Sequence, residues 1–138
     1  MIIFKLPSGK AGLMVACDDK LTEQEVALKD LPVGTDFYIT DISPFDTIFL
    51  GAYAYSEQKD VYLDAVEAKN IWKDKWREAR KSKLEALDLA YMRATETQNV
   101  SEIARIVSEK QELRDVTNTP IPGTTPEEIK AVWPEILN

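Results

Sequence analysis

The chain has 138 residues, 44% of them hydrophobic and 30% charged, and its 24 acidic and 17 basic residues give a net charge of −7. This length allows one moderate core, or one small core with a helical arm, and excludes two large domains. The chain has no histidine and one cysteine, Cys17, which excludes Ser-His and Cys-His nucleophile pairs, the common zinc sites and an internal disulfide. We therefore expect a protein that is not an enzyme, with no catalytic residue, no bound metal and no cofactor.

The sequence pattern of residues 1–58 predicts a small α/β unit. Residues 2–6 and 11–16 read as two strands of a β-hairpin around a turn at residues 7–10, with Cys17 as a small strand residue. Asp18 and Asp19 suit a turn. Thr22 with Glu25 three positions later is a capping box, which predicts a short helix over residues 23–29. Residues 36–42 predict a half-buried strand, and residues 47–55 form a further apolar segment that is a second candidate strand.

The composition changes near residue 60, where alanine, leucine and charged residues take over and proline disappears until Pro120. This change predicts a helical arm over residues 59–118, with a first helix over residues 60–97 that is roughly 55 Å long at 1.5 Å per residue. Asn99 with Glu102 is a second capping signal, and it predicts a helix over residues 100–116 that folds back antiparallel. The shorter helix would leave part of the longer one unpaired, and a partner would bind there.

The first helix carries an apolar stripe inside a basic run. Residues 69–83 contain seven basic and two acidic residues, a local charge of +5. The stripe has the spacing of a coiled-coil seam, which both packing within the chain and homo-oligomerisation would explain. The stripe either packs in the core, with solvated lysines around it, or forms an interface for an acidic partner or for phosphates. The candidate partner-binding residues are Trp72, Trp76, Arg80, Lys83, Leu84, Leu87, Tyr91 and, from the C-terminal segment, Trp133.

Residues 119–138 predict a linker followed by a short helix. Thr125 is an N-cap with proline at the first helical position, and the helix should pass through Ile129, Val132 and Trp133 until Pro134 stops it. Trp133 either docks onto the helical hairpin or anchors a separate partner. The predicted fold is therefore α+β: a small α/β unit with a β-hairpin (residues 1–58), an antiparallel helical hairpin with one long helix (59–118), and a linker with a short C-terminal helix (119–138).

Four segments carry a resemblance to a known group of proteins. They are LTEQEVALKDLPVGTDFYITDIS from Leu21, WREARKSKLEALDLAYMRATE from Trp76, KQELRDVT from Lys110 and TTPEEIKAVWP from Thr124. In this order they resemble small proteins encoded in the tail-fibre region of tailed bacteriophages and prophages, commonly named tail assembly chaperone or tail fibre assembly protein. The match covers most of the chain, and the last two segments are its most specific part. It identifies recurring helix and turn positions without a defined site.

The resemblance implies protein–protein binding during phage tail assembly. One class is a chaperone-like assembly factor for a tail or tail-fibre polypeptide, which would act in the cytoplasm of the bacterial host. The other is a virion component that joins the fibre to the tail. A nucleic-acid-binding regulator is a weaker alternative, because the chain as a whole is acidic. No apolar run approaches the roughly 20 residues of a membrane helix, and the first ten residues lack a signal-peptide pattern, so we expect no membrane contact.

Overall fold

The computed structural model describes residues 1–17, 20–58 and 60–138. The acidic pair Asp18 and Asp19, expected to serve a turn, and Lys59, the expected start of the helical arm, lie outside the described residues. The chain divides into two compact units, Met1–Ala68 and Lys69–Asn138. Their combination of antiparallel strands and long paired helices confirms the predicted α+β fold.

The first unit is built on a three-stranded antiparallel sheet with the order β2-β1-β3. The expected hairpin is present, and Gly9 has a φ of +81° in its turn, a value that favours glycine. A second antiparallel sheet pairs β4 with β5, and an isolated bridge from Lys10 to Ala54 links it to the hairpin. The strands are β1 (Ile2–Lys5), β2 (Ala11–Met14), β3 (Phe37–Ile39), β4 (Tyr53–Tyr55) and β5 (Val61–Leu63).

Helix α1 (Glu23–Asp30) packs its buried Val26 and Ala27 against one face of the first sheet, where they meet Ile2 and Phe37. Its start is the predicted capping box: the Thr22 hydroxyl accepts from the Glu25 amide at 3.3 Å, and the Glu25 carboxylate accepts from the Thr22 amide at 2.8 Å. This local exchange satisfies two amides that a helix leaves without partners. It explains why the helix begins where the sequence predicted.

Three predictions in this unit need correction. Residues 47–52 form a 3-10 helix, Thr47–Ala52, so only the last three residues of the expected apolar segment are a strand. Cys17 lies three residues beyond the end of β2 and is exposed. The long helix does not start at residue 60, because residues 61–63 pair with β4 as a strand. Asp64 then accepts hydrogen bonds from the amides of Val66 and Glu67, which starts the helix at Ala65.

Helix α2 (Ala65–Glu96) begins in the first unit, and from Lys69 onward it belongs to the second. There it pairs with α3 (Val100–Asp115) across the connection at residues 97–99, which confirms the helical hairpin. Asn99 is the predicted N-cap, and its side chain accepts from the Glu102 amide at 3.2 Å. The unit's core is Trp76, Leu87, Ala94, Ile106, Leu113, Val116, Ile121, Ile129 and Leu137.

The C-terminal segment contributes three residues to that core. Helix α4 (Pro126–Lys130) starts with the capping box of Thr125 and Glu128, as predicted. It ends at Lys130, so the expectation of a helix through Val132 and Trp133 was wrong. Pro134 instead precedes a 3-10 turn, Glu135–Leu137, whose last side chain is buried. The residues between α4 and this turn are in an irregular conformation, which lets them follow the surface of α2.

Candidate functional site

Trp76 lies entirely inside the second unit, with no accessible surface. Its indole N–H is buried and has no hydrogen-bond partner among the residues described. Leu87, eleven positions later on the same stripe, is also buried, whereas Leu84 is partly exposed. The middle of the stripe is therefore core of this unit, and Trp76 cannot touch a partner while the unit stays folded.

Trp72 is covered by the C-terminal segment of its own chain. Its indole N–H donates to the carbonyl of Val132 at 2.8 Å, and its ring meets that of Trp133 edge to face, with centroids 5.6 Å apart. Such an arrangement is favourable for aromatic pairs. The C-terminal segment thus occupies the part of α2 that was expected to be left unpaired for a partner. Trp133 docks onto the helical hairpin and remains 37% exposed.

The basic residues after Trp76 serve contacts inside the same unit. Arg80 Nη1 donates to the carbonyls of Leu113 at 3.1 Å and Arg114 at 2.7 Å, at the end of α3. Those carbonyls belong to the last turn, which lacks intrahelical donors and carries the negative end of the helix dipole. Lys83 donates to the main-chain oxygen of Asn138. Both residues were candidates for binding an acidic partner or phosphates, and in the structure they bind backbone oxygens of their own chain.

Tyr91 differs from the other residues of the stripe because 38% of its surface is exposed. The Lys110 ammonium lies 5.4 Å from the centre of its ring and forms an ion pair with Asp88. These contacts place Lys110 of α3 on the same side of the hairpin as Tyr91 of α2. Val107, one helical turn before Lys110, is 51% exposed on that side.

Two further exposed apolar residues lie closer along the chain to the turn of the hairpin. Met92 follows it in the chain and is 57% exposed, and Val100, two turns before Val107, is 77% exposed. We call these four residues, Tyr91, Met92, Val100 and Val107, the hairpin-tip surface. Met92, Val100 and Val107 were not among the candidate residues, because they stand off the coiled-coil stripe of α2. The signal that could have found two of them is the pair of valines seven residues apart on α3.

Acidic groups at two helix starts have perturbed pKa values. The pKa of Glu128 is lowered because its carboxylate accepts from the amides of Thr124 at 2.8 Å and Thr125 at 3.2 Å. The pKa of Glu102 is lowered mainly by hydrogen bonding to Arg105, and the pKa of Arg105 is raised by the same bond. Each of these groups faces solvent, and its hydrogen bonds support local helix structure.

Residues 1–17, 20–58 and 60–138 contain no group of three or more acidic or cysteine side chains placed to hold a metal ion. Within those same ranges, no helix has the length and apolar character needed to span a membrane.

Comparison of the chain with protein-family models, with curated proteins and with solved structures found no match in any of the three.

Proposed function

We propose that this protein is a chaperone-like assembly factor of a tailed bacteriophage, which binds a tail or tail-fibre polypeptide in the host cytoplasm. The class of partner comes from the sequence resemblance described above. The observation that supports a binding role is the hairpin-tip surface, where Tyr91, Met92, Val100 and Val107 are each exposed near the connected ends of two packed helices. Exposed apolar side chains in one region are typical of sites that contact another protein.

The hairpin-tip surface suits reversible contact with an incompletely folded polypeptide. Its apolar side chains offer area without a demanding geometry, and Met92 has the flexible thioether found on surfaces that accept varied partners. Lys110 and Asp88 border the surface with one charge of each sign. An assembly factor of this kind would cover apolar surface of the partner and then dissociate.

The test is co-purification with the tail or fibre polypeptide encoded beside this gene. Val100→Glu combined with Val107→Glu places two charges on the hairpin-tip surface without touching a buried residue, so we expect a folded variant that no longer retains the partner. Val66→Glu is the matched control, because Val66 is 70% exposed on α2 in the first unit. Equal retention by both variants would refute this surface as the binding site.

Mass spectrometry of purified particles separates the assembly factor from the virion component. An assembly factor is found in infected-cell lysates bound to its partner and is absent from finished particles. A fixed number of copies per particle would instead assign the chain to the virion tail.

A further inference from the structure

Strand β3 forms an open edge of the first unit's three-stranded sheet. It is bonded to β1 on one side only. On the far side of that sheet, the hairpin turn continues into the second sheet, where the Tyr55 amide donates to the Gly9 carbonyl at 3.1 Å. The edge next to β3 has no such continuation within residues 1–17 and 20–58. An open strand edge is a template on which another extended chain can pair.

The register shows which backbone groups face outward. The Lys5 amide donates to the Asp36 carbonyl at 2.9 Å, and the Thr40 amide donates to the Met1 carbonyl at 3.0 Å. Antiparallel strands turn alternate residues toward the partner strand, so positions 36, 38 and 40 face β1. The amides and carbonyls of Phe37 and Ile39 therefore point away from the sheet. No backbone group among the described residues bonds to them.

A groove of about 370 Å³ runs beside this edge and is lined by Gln24 of α1 and by residues 35–39. On α1, Leu28 lies one turn after Gln24, outside the lining of the groove, and is 67% exposed. Ile39, at the strand edge, is 39% exposed. A strand added here would direct every second side chain to the face of the sheet on which α1 packs. Apolar side chains would fit at those alternate positions.

The charge of the surroundings decides between two kinds of occupant. Asp36 precedes β3 and Asp41 follows it closely, and residues 1–58 carry four basic and nine acidic residues, a net charge of −5. If the edges of two copies paired antiparallel, the acidic ends of both strands would meet, which is unfavourable. A segment with lysine or arginine beside its apolar residues would be attracted to the same edge.

We propose that the open edge of β3 binds an extended, basic polypeptide segment as a fourth strand of the sheet, with alternate apolar side chains in the groove beside α1. Strand addition of this kind draws affinity from main-chain hydrogen bonds and specificity from the side-chain pockets. The site lies in the first unit, involves none of the hairpin-tip residues, and does not depend on the proposed function.

The test uses an eight-residue peptide of alternating valine and lysine, titrated into the full chain by calorimetry. Amide hydrogen exchange is measured in parallel, and exchange at Phe37 and Ile39 should slow when the peptide binds. A peptide with glutamate in place of lysine should bind at least about tenfold more weakly, because it lacks the positive charges that the acidic edge attracts. A peptide with N-methylated backbone amides should also bind at least about tenfold more weakly, because it lacks the N–H groups that pair with β3.

Two variants of Ile39 separate the backbone from the side chain. Ile39→Pro removes an outward N–H that β1 does not use, so the sheet should persist while peptide affinity falls about tenfold or more. Ile39→Ala keeps the N–H and should reduce affinity less. The proposal is overturned if the valine–lysine peptide does not bind, or if the folded Ile39→Pro variant binds it as tightly as the parent chain does. It is also overturned if peptide binding slows amide hydrogen exchange at other residues and leaves Phe37 and Ile39 unchanged. Self-association through this edge, seen by sedimentation, would also overturn it.

Discussion

Replacing Trp76 with alanine tests whether the middle of the α2 stripe is core. Its side chain has no accessible surface, so Trp76→Ala removes a full indole from a closed interior and leaves a cavity. Such truncations destabilise by about 3–5 kcal/mol. For a chain of this size that change should lower the Tm by roughly 10 °C or more, and it is a large part of a typical total stability of about 5–15 kcal/mol.

The assay is urea unfolding followed by fluorescence, since Trp72 and Trp133 remain as probes. We expect a lower urea midpoint with little change in slope. Trp76→Phe is the informative control. It keeps an aromatic ring and removes the indole N–H that is buried without a partner, so part of its packing loss should be offset by about 1–3 kcal/mol of relieved desolvation.

The result that would refute this reasoning is a Trp76→Ala protein with the parent midpoint and lost partner binding. That outcome would make Trp76 an interface anchor. A loss of binding that only accompanies unfolding agrees with the buried position.

The remaining predictions concern three contacts. Arg80→Gln should destabilise by about 1–2 kcal/mol in urea unfolding, because it removes a charged donor from the last carbonyls of α3, whereas exposed Lys81→Gln should have little effect. Gly12→Ala should destabilise by about 1–3 kcal/mol, because its methyl carbon would lie 2.5 Å from the Phe4 ring, and adding Phe4→Leu should recover part of the loss if crowding is the cause. The pKa of Glu128 is lower in the folded chain than its ordinary value of 4.5, so its contribution is present above that pH and is lost as the pH falls through the folded pKa. Unfolding midpoints compared between pH 6 and pH 3 should fall less for Glu128→Gln than for the parent.

Three helix starts were predictable from the sequence because their hydrogen bonds are local. Thr22, Asn99 and Thr125 each cap a helix through a group three residues away, so a short sequence window contains the whole interaction. The strand at residues 61–63 was missed because the residues after it are rich in alanine and charged side chains, which predicted a helix from residue 60. Pairing with β4 overrode that preference.

The sequence indicated some of the side chains of the candidate site that make specific contacts, and it predicted only in part what they contact. The sequence identified Trp72 and Arg80 as candidates for binding a separate partner, and in the structure both bind groups of their own chain. Those partners are the carbonyls of Val132 and of the end of α3, which lie 60 and 33–34 residues away. Residue types alone do not distinguish a backbone oxygen of the same chain from an acidic partner. The open edge of β3 was also hidden, since it depends on the order of strands in the sheet.

The distance along the chain between Trp72 and its cover has a consequence for synthesis. Ribosomes add about 5–20 residues per second, so roughly 3–12 s separate Trp72 from Val132, 60 positions later. The pairing of α2 with α3 joins residues closer in sequence and can form earlier. During this interval neither Val132 nor Trp133 exists to cover Trp72. The nascent chain therefore exposes an aromatic surface that Val132 and Trp133 later cover.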